Sequence, residues 1–84
     1  MTAPRLVLLG TEQCKLCHEM AEVVRRVVGG AAELVETDVR SDPEWHRLYR
    51  YEIPVLMLEG REVVRHRVGD AELRERLQQL GLSI

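Results

Sequence analysis

The sequence predicts an α/β fold of order β-α-β-α-β-β-α, with a four-stranded mixed sheet in a single domain covering residues 1–84. Three observations predict it. Short apolar runs of strand length alternate with stretches whose apolar residues recur every three or four positions. A Glu59-Gly60 pair between two of those runs reads as the turn of a hairpin. Both cysteines of the chain, Cys14 and Cys17, fall just past the first apolar run, where the first helical pattern begins.

Taken in order, Leu6 to Leu9 is a continuous apolar run bounded by Pro4 and Gly10, as expected of a strand covered on both faces. The polar Thr11-Glu12-Gln13 leads into Cys14. From there Cys17, Met20, Ala21, Val24, Val27 and Val28 keep helical spacing, while Glu19, Glu22, Arg25 and Arg26 fill the opposite side. Gly29-Gly30 stops this helix. Leu34 to Val39 alternates with period two and predicts a second strand. Asp42 suits a helix N-cap and Pro43 the first helical position, with Trp45, Leu48 and Tyr49 as the apolar side of a short helix. Val55 to Leu58 is a third strand, and Glu62 to Arg67 a fourth, antiparallel to it. Asp70 is expected to cap a last helix carrying Leu73, Leu77 and Leu80, closed by Gly81. A strand–helix–strand crossover makes the first two strands parallel.

Composition narrows the function. Eighty-four residues are near the lower limit for a self-sufficient core. Two cysteines are too few for a disulfide-stapled secreted scaffold. No apolar stretch approaches the ~20 residues of a membrane span. The N-terminus, with Arg5 and no small-residue cleavage site, does not read as a signal peptide, so the expected location is cytoplasmic. A net charge of −2 points to neither a nucleic-acid nor a membrane partner.

The chemistry is concentrated in Cys14-Lys15-Leu16-Cys17-His18. A cysteine in the first turn of a helix sits where backbone N–H groups and the helix dipole favour an anion, so its pKa falls below the ~8.5 of a free thiol. A second cysteine three positions on lies on the same face, within reach of a disulfide. The motif reads as a two-thiol redox centre. Lys15, the only lysine of the chain, adds a cation beside Cys14, and Glu12 acts in the opposite sense if it points at the thiol.

A strand, a Cys-x-x-Cys at a helix start and Pro54 directly before the third strand together resemble the glutaredoxin and thioredoxin superfamily over essentially the whole chain. Asp42-Pro43, Tyr49 or Tyr51, and Ile53-Pro54-Val55 make it most similar to the small glutaredoxin-like proteins. The resemblance implies a thioredoxin-like fold and a thiol–disulfide oxidoreductase, with Cys14 the nucleophile and Cys17 the resolving thiol. It implies that Pro54 follows a cis peptide bond and faces the cysteines, so that Ile53 offers its N–H and C=O to an extended substrate. It implies no tightly bound cofactor, and protein or small-molecule disulfides as partners.

The electron donor stays open between glutathione, as co-substrate, and a donor of thioredoxin-reductase type. Glutathione-using members carry a base shortly before the first cysteine and a glycine pair before the last helix. This chain has Thr11-Glu12-Gln13 and Val68-Gly69-Asp70 there. Gly69, Asp70 and Arg67 are the candidate contacts. The tryptophan of the thioredoxin branch is Gln13 here, and the first strand has no acidic residue.

Two other readings compete. Cys-x-x-Cys-His is also a haem-attachment signature with His18 as axial ligand, but it needs an exported, mostly helical domain. A non-catalytic module, in which the cysteines receive a metal, a cluster or a partner thiol, uses the same residues. His46 and His66 lack paired ligand spacing and are expected on a solvated face, and Trp45 in a core or groove.

Overall fold

Four strands, β1 (Arg5–Gly10), β2 (Glu33–Asp38), β3 (Val55–Leu58) and β4 (Arg61–Arg65), stand in the order β2-β1-β3-β4. Three helices, α1 (Lys15–Val28), α2 (Pro43–Tyr49) and α3 (Asp70–Gln79), complete the element order expected from the sequence. The computed structural model describes residues 3–84. β1 and β2 are parallel, whereas β3 runs antiparallel to both β1 and β4.

The apolar run of β1 explains its central place. Alternate side chains of a strand point to opposite faces. Leu6 and Leu8 therefore join Leu56 and Leu58 of β3 under α1 and α3, in a cluster with Met20, Val24, Leu73 and Leu77. On the other face Val7 and Leu9 meet Val55, Val39, Trp45 and Tyr49, the last two from α2. Both faces of the central pair are thus covered, and only a continuous apolar run satisfies both.

The β3–β4 hairpin closes on Glu59 and Gly60, both at positive φ, as a two-residue primed turn requires. A bulge follows: Met57 pairs with Glu62 and Leu56 with Val64, leaving Val63 extra. Because of that extra residue, the consecutive Val63 and Val64 are both buried in the α1–α3 cluster. At the far end of α3, Gly81 (φ 99°) gives its N–H to the Gln78 carbonyl, and Leu82 gives its N–H to that of Leu77. This pair of bonds is a Schellman motif, leaves Leu82 buried, and closes the helix at Gly81 as expected.

Four expectations need correction. The second strand ends at Asp38, and Val39 begins a 3-10 turn, because Asp38 accepts the Arg40 N–H at 2.8 Å and bends the chain. The fourth strand ends at Arg65 instead of Arg67, since His66 takes a left-handed φ of 69°. Leu48, assigned to the apolar side of α2, is 48% exposed; α2 is buried through Trp45 and Tyr49 only. The N-cap of α3 is Gly69, with no side-chain capping bond, and Asp70 is the first helical residue. Asp42, by contrast, caps α2 as expected, accepting from the Glu44 and Trp45 N–H groups at 2.8 and 3.2 Å.

Candidate active site

The loop after β1 turns back through a bond from the Cys14 N–H to the Thr11 carbonyl, which places Cys14 at the N-cap of α1. Its Sγ accepts the Cys17 N–H at 3.0 Å, in the way a serine or aspartate oxygen caps a helix. Cys14 and Cys17 are joined in a disulfide, their Cα atoms 5.2 Å apart. The pair is asymmetric. Cys14 is half-buried at the helix end, while Cys17 is 4% exposed and one turn inside. Lys15 is the first residue of α1 and is exposed beside them.

The register of the sheet carries this centre across to Pro54. Gly10 pairs with Asp38 on one side, and one step past the Leu9–Val55 pair it comes opposite Pro54 on the other. The His66 N–H in turn donates to the Pro54 carbonyl at 2.8 Å. One transverse row at this end of the sheet therefore holds Asp38, Gly10, Pro54 and His66. Cys17 rests on the row at Gly10, where a Cβ would stand 2.6 Å from its Sγ. In the sequence Gly10 stands out only as the boundary of the first strand. Its signal was there: a glycine inside a strand marks close approach by another group.

The Ile53–Pro54 peptide bond is cis, as the resemblance implies, and Pro54 is fully buried. Ile53 packs its side chain into the α2 cluster with Leu9 and Val55. Within the described residues no backbone hydrogen bond engages Ile53. Its N–H and C=O are thus available to an added strand.

The remaining candidates are scattered. Asp70 is held by Arg26 of α1 through two bonds of 2.7 and 2.8 Å, so its carboxylate ties α1 to α3. That hydrogen bond lowers the Asp70 pKa. Gly69 and Arg67 precede α3, and Arg67 lines a cleft of about 220 Å³ with His66, Val68, Leu16, Met20 and Val23. A larger cleft, about 370 Å³, opens on the β2 side of the disulfide between Gly10, Thr11, Glu12, Cys17, His18 and Asp38. There Arg40 hydrogen-bonds the Asp38 carboxylate and holds its pKa down to about 2. His46 is half-buried where a solvated face was expected, His66 is exposed, and Trp45 lies in the second core.

A four-stranded sheet flanked by helices, with a Cys-x-x-Cys disulfide at a helix start resting on the row that holds Pro54, defines a protein of thioredoxin fold. Residues 5–78 match the family model of the glutaredoxin-like domain (DUF836). The chain belongs to this glutaredoxin-like family. Among solved structures, it is similar to a protein from Nitrosomonas europaea studied by solution NMR, at 27% identity and a TM-score of 0.76, over 99% of this chain and 95% of that one. It is similar to an X-ray structure of a protein from X. campestris, at 25% identity and a TM-score of 0.75, over 88% and 96%. Thioredoxin 2 from Pseudomonas aeruginosa PAO1 in its reduced form shares the fold at 21% identity and a TM-score of 0.65, over 95% and 81%. Among the described residues, no helix is long and apolar enough to cross a membrane.

Proposed function

We propose that the chain is a thiol–disulfide oxidoreductase that reduces protein disulfides by a Cys14–Cys17 dithiol couple. The observation that carries this reading is the asymmetric pair: an N-cap sulfur receiving a backbone N–H, and a buried sulfur one turn behind it. In the reduced protein, Cys14 is the thiol that the helix end favours as thiolate. It attacks one sulfur of the substrate disulfide; that S–S bond breaks, a Cys14 mixed disulfide forms and one substrate thiolate leaves. Cys17 then gives up its proton and attacks the Cys14 sulfur. The mixed disulfide breaks, the second substrate thiolate leaves, and the two electrons lost by Cys14 and Cys17 have reduced the substrate.

Protein disulfides are favoured over glutathione mixed disulfides because Asp70, the candidate contact for the glutathione amino group, is already engaged by Arg26, and Thr11-Glu12-Gln13 supplies no base. The open backbone of Ile53 beside Pro54 suits an extended protein segment, which gains main-chain hydrogen bonds there. A donor of thioredoxin-reductase type fits the same edge.

Single-turnover reactions of the pre-reduced protein test the proposal, comparing a protein disulfide with a glutathionylated peptide. The expected order is faster reduction of the protein disulfide. Cys14→Ser abolishes both reactions, and Cys17→Ser spares only the one-thiol reaction that stops at the mixed disulfide. A reduced protein that leaves both substrates untouched, or that binds a stoichiometric metal after anaerobic purification and reduces neither, overturns the assignment.

A further inference from the structure

The tripeptide Glu52-Ile53-Pro54 is gripped at both ends by one residue. The His66 N–H donates to the Pro54 carbonyl at 2.8 Å, and the His66 Nε2 lies 3.4 Å from the Glu52 Oε2. The other Glu52 oxygen lies 3.4 Å from the Arg65 guanidinium. Arg65 is itself anchored by two bonds of 2.7 and 2.6 Å to Glu62, with its guanidinium 5.9 Å from the centre of the Tyr49 ring. The Glu52 N–H is fixed as well, donating to the Tyr49 carbonyl at 2.8 Å. Between these two held points stands Ile53, whose backbone has no hydrogen-bond partner among the described residues.

His66 makes both contacts from a left-handed backbone, φ 69°, which a non-glycine residue rarely adopts and which persists only where the surroundings hold it. With that φ, one residue sends its N–H to Pro54 and its ring to Glu52. The strained residue thus ties the end of β4 to the segment before β3.

We propose that His66 and Glu52, backed by Arg65, are positioning residues that frame the Ile53 backbone for an extended disulfide substrate. They touch neither sulfur; they act by holding Ile53 in register with the cysteine pair. The inference rests on the oxidoreductase reading and goes beyond it in assigning a docking frame to three residues outside the Cys-x-x-Cys motif. An exposed charged frame of this kind has a modest effect, about threefold to fivefold in the substrate concentration giving half-maximal rate.

The test uses His66→Asn and Glu52→Gln. Asparagine tolerates the left-handed backbone, so His66→Asn keeps the fold, but its short side chain does not span the distance to Glu52. Single-turnover rates of pre-reduced wild type and variants are measured against a ten-residue peptide disulfide and against bis(2-hydroxyethyl) disulfide, which is too small to pair along Ile53. Each variant should raise the half-saturating peptide concentration about threefold to fivefold, leave the limiting rate unchanged and leave the small disulfide unaffected. The double variant should be no worse than either single one, since the two residues form one frame. Half-saturation equal to wild type in both variants, additive effects, or an equal loss on both substrates overturns the frame while leaving the oxidoreductase reading standing. A wild type inactive on both disulfides overturns the two together.

Discussion

Gly10 lies so close against Cys17 that a Cβ on the glycine would stand 2.6 Å from the sulfur and 2.9 Å from the Cys17 Cβ. β1 and the first turn of α1 are therefore spaced by the absence of a side chain, and the Cys17 sulfur fills the room left. Gly10→Ala should push Cys17 off the sheet and destabilise the oxidised protein by about 1–3 kcal/mol, the usual range for overpacking a core. Chemical denaturation of wild type and variant measures it. An unchanged midpoint, with unchanged closure of the disulfide, would show that the first turn of α1 yields freely.

The two thiols of the reduced protein should react unequally. Cys14 is half-buried at an N-cap, and Cys17 is 4% exposed beneath it. Iodoacetamide should alkylate Cys14 first, with a rate whose pH midpoint lies below the ~8.5 of a free thiol. Peptide mapping after short exposure identifies the site. Preferential labelling of Cys17 would contradict the assigned roles.

The short helix α2 depends on its cap. Asp42 satisfies the Glu44 and Trp45 N–H groups, and α2 is only seven residues long. Asp42→Ala should destabilise the protein by about 1 kcal/mol, while Asp42→Asn, which also caps well, should lose little of that. Because Trp45 packs in the second core with Leu9 and Val55, its fluorescence reports the loss directly.

Acid should weaken the fold in a defined window. The Asp38 carboxyl, hydrogen-bonded by Arg40, is lowered from 3.8 to about 2, and Asp70 and Glu62 are lowered by their hydrogen bonds to Arg26 and Arg65. A group whose pKa is depressed on folding contributes stability above its unfolded pKa and loses it as pH falls through the folded one. For Asp38 that window runs from 3.8 down to about 2. Asp38→Asn should flatten the fall in denaturation midpoint across this range and should lower the midpoint at neutral pH by the same small amount, since the exposed pair's contribution is present at every pH above 3.8. A variant with the same acid slope as wild type would remove Asp38 from the account.

Much of the architecture was legible because it depends on local pattern. Leu6 to Leu9 announced a strand covered on both faces, and β1 is central. Cys14 and Cys17 at a strand–helix junction announced a pair within reach of a disulfide, since a three-residue spacing on a helix puts both sulfurs on one face. The errors fall where local preference met a competing partner. Asp70 reads as a cap by residue type, but a bidentate arginine from α1 outweighs a single backbone N–H, and Gly69 takes the cap position. Leu48 reads as core by spacing, but a seven-residue helix buries only one narrow stripe, and Trp45 and Tyr49 fill it.

By itself the sequence determined the element order, the sulfur pair and the proline before β3, because periodicity, turn chemistry and a three-residue spacing are properties of neighbouring residues. Only the tertiary structure decided what meets across the sheet. The row Asp38–Gly10–Pro54–His66, the space beneath Cys17 and the grip of His66 on both ends of Glu52-Ile53-Pro54 join residues up to 56 positions apart. Such contacts follow from strand register and from one bulge at Val63, and no local preference encodes either.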